Sequence, residues 1–372
     1  MNNKKNILPI LLGILLAVVL LATVIVFGAA MGVKSENEAA SQTSEAASDL
    51  ASQVVQEQQE TEPEISSSVI PSEVSSAAEA EELEGTEDLV IFGVDSRENN
   101  LGKGTRSDSM MIVHVNHDEK TVRLTSIYRD CMLEIEGHGF SKATHAHSYG
   151  GPGLALDMLN KNLDLNLERY VTVNFINVGD LIDDIDGIEQ DIDDAEVEYI
   201  NGYIDEVNGI RGTSSPHITK AGTYTLDGTQ AVAYSRIRYT AGADYKRTER
   251  QRTILFKVFE KAKTMNALTR IALAEKMLDE ISSNYRTDEI VALLQNLSSY
   301  TIEDMTAYPQ VFYGGKVSGA WYEVPVTLED MAKGIHEFLF DETDYEPSAT
   351  VKEISKGLQG KASKANYHLT EY

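Results

Sequence analysis

The feature that most limits what this chain can fold into lies at its start. From Ile7 to Val33 almost every residue is apolar, interrupted by Pro9, Thr23 and glycines. At about 1.5 Å of rise per residue, about 26 helical residues reach roughly 39 Å, enough to cross a bilayer with some tilt. Lys4 and Lys5 precede the run, which predicts a cytoplasmic N-terminus at residues 1–6 and a transmembrane helix at 7–33. Cleavage as a secretory signal is the alternative, at Gly28-Ala29-Ala30, although the apolar core of such signals is shorter, about 7–15 residues. Residues 34–88 follow, rich in Ser, Ala, Glu and Gln, with 15 acidic residues and one basic residue. Such a segment buries too little apolar area to offset its ordering entropy, which predicts a disordered acidic stalk. Its coil dimension is roughly 40 Å by square-root scaling. A weak coiled coil is the competing reading, but no sustained apolar heptad supports it. What remains for a large core is residues 89–341, followed by a polar, weakly structured tail at 342–372.

The 372 residues carry a formal charge of −27, and the stalk accounts for roughly half of it. An acidic balance of this size argues against nucleic acid as a partner. The single Cys131 excludes an intrachain disulfide, and no Cys or His pattern has zinc spacing. A small buried side chain is the simplest role for Cys131.

Leu89–Val94, Met110–Asn116 and Thr121–Ile127 read as strands, with Asn116 to Glu119 as the turn joining the last two. The glycines and proline of Gly150 to Gly153 precede an amphipathic helix over Leu154 to Leu163. Tyr170–Phe175 is a strand, Ile176 to Ile185 a helix and Gly187 to Ile192 a strand. Glu196 to Asn208 and Arg211 to Lys220 form an insertion whose structure the pattern leaves open. Gly222 to Gly228 is a turn, with Asp227 capping a short helix through Tyr234. Helices are predicted from Asp244 to about Lys263, Met265 to Leu278, Thr287 to Leu297 and Thr327 to Phe340, with Ala320–Val326 an edge strand. Interleaved strands and helices define an α/β fold: a layered α-β-α domain with a mixed central sheet.

Within this acidic chain, Tyr234 to Gln251 gathers Arg236, Arg238, Lys246, Arg247 and Arg250 against Asp244 and Glu249. Arg236 and Arg238 are two apart and point the same way in extended chain. Arg247 and Gln251 are four apart and share a helix face. Each arginine alone is more simply a surface ion pair; several forked guanidinium groups converging suit a multiply charged phosphate. Asp95, after the run L-V-I-F-G-V, and Asp108, before the next run, stand at the ends of neighbouring strands. Each alone reads as a turn or cap residue; together they could hold a hard cation.

The motifs G-V-D-S-R, R-S-D-S-M-M, S-I-Y-R-D, K-A-T-H-A, Y-S-R-I-R and D-Y-K-R-T-E-R-Q occur in the order seen in the LytR-CpsA-Psr family, which this chain resembles over roughly Asp88 to Lys263. The resemblance implies transfer of a glycopolymer from a polyprenyl pyrophosphate-linked glycan to peptidoglycan, beside the cytoplasmic membrane. It implies Asp95 and Asp108 as ligands of Mg²⁺, with Mn²⁺ as the alternative ion. It implies Arg106, Arg129, Arg236, Arg238, Arg247 and Gln251 at the pyrophosphate, with Lys142 from the loosest motif. Catalytic roles then fall to Asp95, Arg106, Asp108, Arg129, Arg236 and Arg238. Arg97 and Asp130 would orient the others, Asp244 would pair with Arg238 or Arg247, and no general base is assigned. Leu154, Leu156, Met158, Leu159, Val173, Phe175, Val178, Leu181 and Ile182 are candidates for an apolar slot, or ordinary core. The sequence departs from the family at Tyr128, where Pro is usual, at Lys142 to Ala146, and at Asp186, where a second glycine is usual. A polyprenyl pyrophosphate phosphohydrolase and a non-catalytic binder of anionic envelope polymer are the competing functions.

Overall fold

The computed structural model describes residues 84–94, 96, 100–239, 243–278, 280–285, 296–317, 319–362 and 368–371. The expected membrane span lies outside these residues, as do residues 34–83 of the expected stalk and most of the helix expected over 287–297; the last stalk residues, Thr86 to Asp88, belong instead to the first strand of the folded domain, because they pair with the neighbouring strand. Among the described residues, no helix is long and apolar enough to cross a membrane.

The centre is a six-stranded sheet. Strands β1 (Thr86–Val94), β2 (Ser107–Asn116) and β3 (Thr121–Ile127) are antiparallel neighbours. The hairpin β4 (Met132–Ile135) and β5 (Gly139–Lys142) follows, then helix α1 (Thr144–Leu163). Next come β6 (Arg169–Asn174), parallel to β1, helix α2 (Phe175–Asp184), strand β7 (Ile188–Ile192) and helix α3 (Asp194–Arg211). Strand β8 (Gly222–Leu226) pairs with β7 and leads into α4 (Gly228–Ser235), α5 (Ala243–Lys263) and α6 (Ala267–Leu278). Strand β9 (Ser282–Ser283) borders β6, and β10 (Thr301–Tyr308) runs parallel to β3, so the order is β10-β3-β2-β1-β6-β9. Strands β11 (Val311–Val317), β12 (Ala320–Pro325) and β13 (His368–Glu371) make a small separate sheet, with β12 at its edge as expected. Helices α7 (Leu328–Phe340) and α8 (Ala349–Ala362) complete the fold.

The central strands are apolar on both faces because both faces are covered. Leu89 and Ile91 of β1 join one core with Leu181 of α2, Ile204 of α3 and Leu255 of α5. Val90 and Phe92 join the other with Leu159 of α1, Ile335 of α7 and Val351 of α8. This is the expected α-β-α layering over a mixed sheet. It also overturns the single apolar slot. Leu156, Met158 and Leu159 lie on one face of the sheet, and Val173, Val178, Leu181 and Ile182 on the other.

Four local readings change. Helix α1 begins ten residues early and kinks at Gly151, whose φ of 73° and ψ of −163° only glycine adopts readily, just before Pro152. The open insertion is α3, opened by a capping box in which Asp193 and Glu196 each accept the other's amide. The Gly222 to Gly228 turn is largely β8, with Asp227 capping α4 as expected. The weakly structured tail contains α8, whose Val351, Ile354 and Leu358 are buried. The Asp186 departure also has its account. Asp186 and Gly187 both take left-handed φ, 60° and 75°, and a Cβ on Gly187 would lie 2.6 Å from the Leu226 carbonyl oxygen. Aspartate tolerates the first position; the second admits only glycine.

Candidate active site

Strands β1, β3, β6 and β10 all run the same way, so their carboxyl ends share one edge of the sheet, where α/β domains commonly bind ligands. The antiparallel β2 starts at that edge. Val94, the last residue of β1, pairs with Ser107 across a register shift. Continued past Met111↔Ser126, the β2–β3 register brings Asp108 opposite Arg129.

The side chains complete that approach. Arg129 Nη1 donates to Asp108 Oδ1 at 2.6 Å, and Thr144 Oγ1 donates to the same oxygen at 3.4 Å. Asp108 is buried, and burial pushes its carboxyl above the usual range; Arg129, Arg247, Arg238 and Arg106 pull it back without cancelling the shift. Four guanidinium groups from separate parts of the chain therefore act on one carboxyl. The ion pairs continue outward. Asp130 Oδ1 takes Lys142 Nζ at 2.6 Å and lies 3.7 Å from Arg129 Nε. Lys142 also stands over the Tyr322 ring, 5.6 Å from its centroid. Asp130 and Lys142 thus brace Arg129 from behind.

The remaining expected residues divide. Arg247 and Gln251 are both buried on α5, as their spacing predicts. Arg236 is turned toward α3: its Nη2 donates to Glu206 at 2.9 Å, and its guanidinium stands 5.4 Å from the Tyr203 ring. The extended-chain argument for Arg236 and Arg238 fails because Arg236 is the C-cap of α4, with helical φ and ψ of −96° and −11°. Arg250 is tied to Glu196 at 2.8 Å and to the Ile237 carbonyl, and Lys246 pairs at the surface with Glu249. Asp95 and Arg97 lie outside the described residues, as does the side chain of Asp244. Among the described residues, no group of three His, Cys, Asp or Glu side chains could hold a metal.

Two site residues were missed. Thr144 reaches Asp108, and His145 hydrogen-bonds Ser141 at 2.8 Å. Burial, then Arg106 and Lys142, hold the His145 imidazole below its ordinary range, and Asp130 opposes them. Both residues stand in the K-A-T-H-A motif, so the signal was present. Only its lysine invited a charge-based assignment.

The fold and these contacts define an α/β layered domain whose strand ends gather arginines around a carboxylate, an arrangement suited to polyanionic phosphate. The chain belongs to the LytR-CpsA-Psr family: the LytR_cpsA_psr family model matches residues 33–342. It is 28% identical over 237 residues to the polyisoprenyl-teichoic acid–peptidoglycan teichoic acid transferase TagT of Bacillus subtilis (strain 168), covering 63% of this chain and 70% of TagT. It is 29% identical over 202 residues to the TagU transferase of Enterococcus faecalis, covering 54% of this chain and 60% of that protein's length. The crystal structure of B. subtilis TagV matches with a TM-score of 0.54 at 26% identity, covering 71% of this chain and 99% of that one.

Proposed function

We propose that this protein is a membrane-anchored ligase that moves a glycopolymer, such as teichoic acid or a capsular polysaccharide, from a polyprenyl pyrophosphate carrier onto peptidoglycan. The names of its relatives support the reaction class. The observation that carries the reading is Asp108, buried and acted on by Arg129, Arg247, Arg238 and Arg106 together. A buried carboxylate among so many cations suits a diphosphate held with a hard ion. The donor chemistry fits Mg²⁺, which takes one or two carboxylates with phosphate oxygens and water filling the rest. Asp108 and Asp95 would hold it, with Mn²⁺ as the alternative, and when bound it supplies charge neutralisation at the diphosphate.

The arginines act by position and charge. A peptidoglycan hydroxyl oxygen bonds to the glycan-side phosphorus, the bond from that phosphorus to the polyprenyl phosphate oxygen breaks, and the hydroxyl proton passes to the departing polyprenyl phosphate. Charge grows on the leaving polyprenyl phosphate, where Arg129, Arg238, Arg247 and Arg106 stabilise it. Asp130 and Lys142 keep Arg129 aimed. In this reading residues 7–33 anchor the chain, with its N-terminus in the cytoplasm and its catalytic domain outside.

The test supplies a labelled lipid-linked glycan, Mg²⁺ and peptidoglycan fragments to the full chain in detergent. Label should move to peptidoglycan, and Arg238→Gln should lower kcat/KM by roughly a hundredfold, the usual loss for one transition-state donor. Label released only as free phosphorylated glycan would replace the ligase with a hydrolase. Full activity in the variant would remove Arg238 from the site.

A further inference from the structure

A second concavity, of about 320 Å³, lies beside the arginine cluster, and none of the residues assigned to the diphosphate lines it. One wall is α5, where Tyr245, Glu249 and Arg252 recur at helical spacing. Arg247 and Gln251 occupy the opposite side of the same helix. The other wall is the end of β10 with Thr306, and Gln310 in the turn to β11.

The aromatic part of the cleft is held rigidly. Tyr245 meets Tyr128 edge-on, with ring centroids 4.9 Å apart at 87°, and lies 5.6 Å from Phe312 at 29°. Its hydroxyl donates to Glu323 at 2.9 Å. The polar part is arranged differently. Lys246 and Glu249 satisfy each other at 2.8 Å. Arg252 has one hydrogen bond, a 3.3 Å contact to Ser126 Oγ, and no ion pair among the described residues. A half-buried guanidinium so weakly held in a cleft is a site for an anion, and its fork matches a carboxylate. Fixed tyrosines beside hydroxyl and amide side chains suit a sugar, whose C–H face packs on rings while its hydroxyls meet polar groups.

We propose that this cleft binds the acceptor saccharide, an N-acylated amino-sugar strand bearing carboxylates, with Arg252 on a carboxylate and the sugar against Tyr128 and Tyr245. The inference rests on the ligase reading and deepens it. Tyr128, in the cleft lining, immediately precedes Arg129, the residue that pairs with Asp108, so the cleft and the diphosphate arginines meet at one point of the chain. Tyr128, the departure from the usual proline, then supplies part of the acceptor floor.

The experiment measures calorimetric binding of soluble peptidoglycan fragments, amino-sugar oligomers with stem peptides attached, to the full chain in detergent without donor. Wild-type protein should bind, and Arg252→Gln should weaken binding at least tenfold, with Arg252→Lys recovering part of the loss. With lipid-linked donor added, the acceptor KM should rise by the same factor and the donor KM should hold. Should Arg252→Gln fail to fold, the turn variant Gln310→Ala combined with Thr306→Ala gives the same readout. Absent binding by wild-type, unchanged affinity in the variants, or a shift in donor KM instead would overturn the proposal. Fragment binding lost in the variants, in protein that never transfers label, would uphold the cleft and remove the ligase reading.

Discussion

Asp108 is worse off ionised in the folded protein than in water, despite the cations around it. Its carboxyl is pushed up by burial, and the arginines only partly reverse this. The folded state therefore holds a proton there more tightly than the unfolded chain does. The associated stability is fully present below the ordinary carboxylate range, about 3.9, and is lost as pH rises through the higher folded value. Asp108→Asn escapes that loss. It should raise stability at neutral pH by about 1 kcal/mol, the scale of a removed functional strain, and abolish transfer. The gain should vanish as pH falls toward 4. Thermal unfolding across pH checks this, and a variant less stable at pH 7 would refute it. At this scale the sequence was partly legible. Spacing put Arg247 and Gln251 on one buried helix face, because a long helix obeys its period. It gave Arg236 the wrong local geometry, because two residues apart means one side only in extended chain, and Arg236 closes a helix.

Elements were legible where one period ran without interruption. Strands β1 to β3 and helix α5 announced themselves; α3 and α8 did not. Helix α8 buries Val351, Ile354 and Leu358, but Lys352, Lys356, Gly357 and Lys361 dilute the pattern to that of a solvated end. Its docking depends on a residue far away in the chain. Asp164, the left-handed C-cap of α1, accepts from Tyr345 Oη at 2.5 Å and from the Ser348 amide and hydroxyl, both at 2.7 Å. Nothing local marks Asp164 for this, so sequence patterning is blind to it. Burial works against the Asp164 charge, but these hydrogen bonds, with His336, hold its carboxyl below the ordinary range. The stability it contributes is present above the unfolded carboxylate value and is lost as pH falls through the lower folded one. Asp164→Ala should cost about 2 kcal/mol, the scale of hydrogen bonds to a charged acceptor. It should also raise hydrogen exchange in α8 more than in β1. Wild-type protein should show the same selective loosening below about pH 3.9. Uniform exchange across the domain in the variant would argue against a local clasp.

The whole domain has two cores sharing one sheet, with no disulfide to hold them, so its integrity rests on packing across β1 and β2. The one cysteine sits where its parts meet. Cys131 bridges to Glu323 of β12, its amide bonds the Tyr128 carbonyl, and its own carbonyl accepts the Ala143 amide before α1. Glu323 in turn accepts from Tyr245 of α5 and donates its amide to Asp130. The active-site loop, the small sheet and α5 therefore converge around one thiol. That thiol is fully buried and is pushed well above its usual range, by burial first and then by the charges of Glu323 and Asp130. It is neither a nucleophile nor a sensor in the folded state. Exposing it means separating elements of both sheets, so its alkylation should report global opening rather than fraying. Folded full-length chain in detergent should label with iodoacetamide at least a thousandfold more slowly than urea-unfolded chain, as stabilities of about 5–15 kcal/mol require. The labelling rate should rise with urea in step with loss of far-ultraviolet dichroism. Rapid labelling of folded protein would mean that the junction around Cys131 opens alone, and that the site loop and the small sheet move independently of the central sheet.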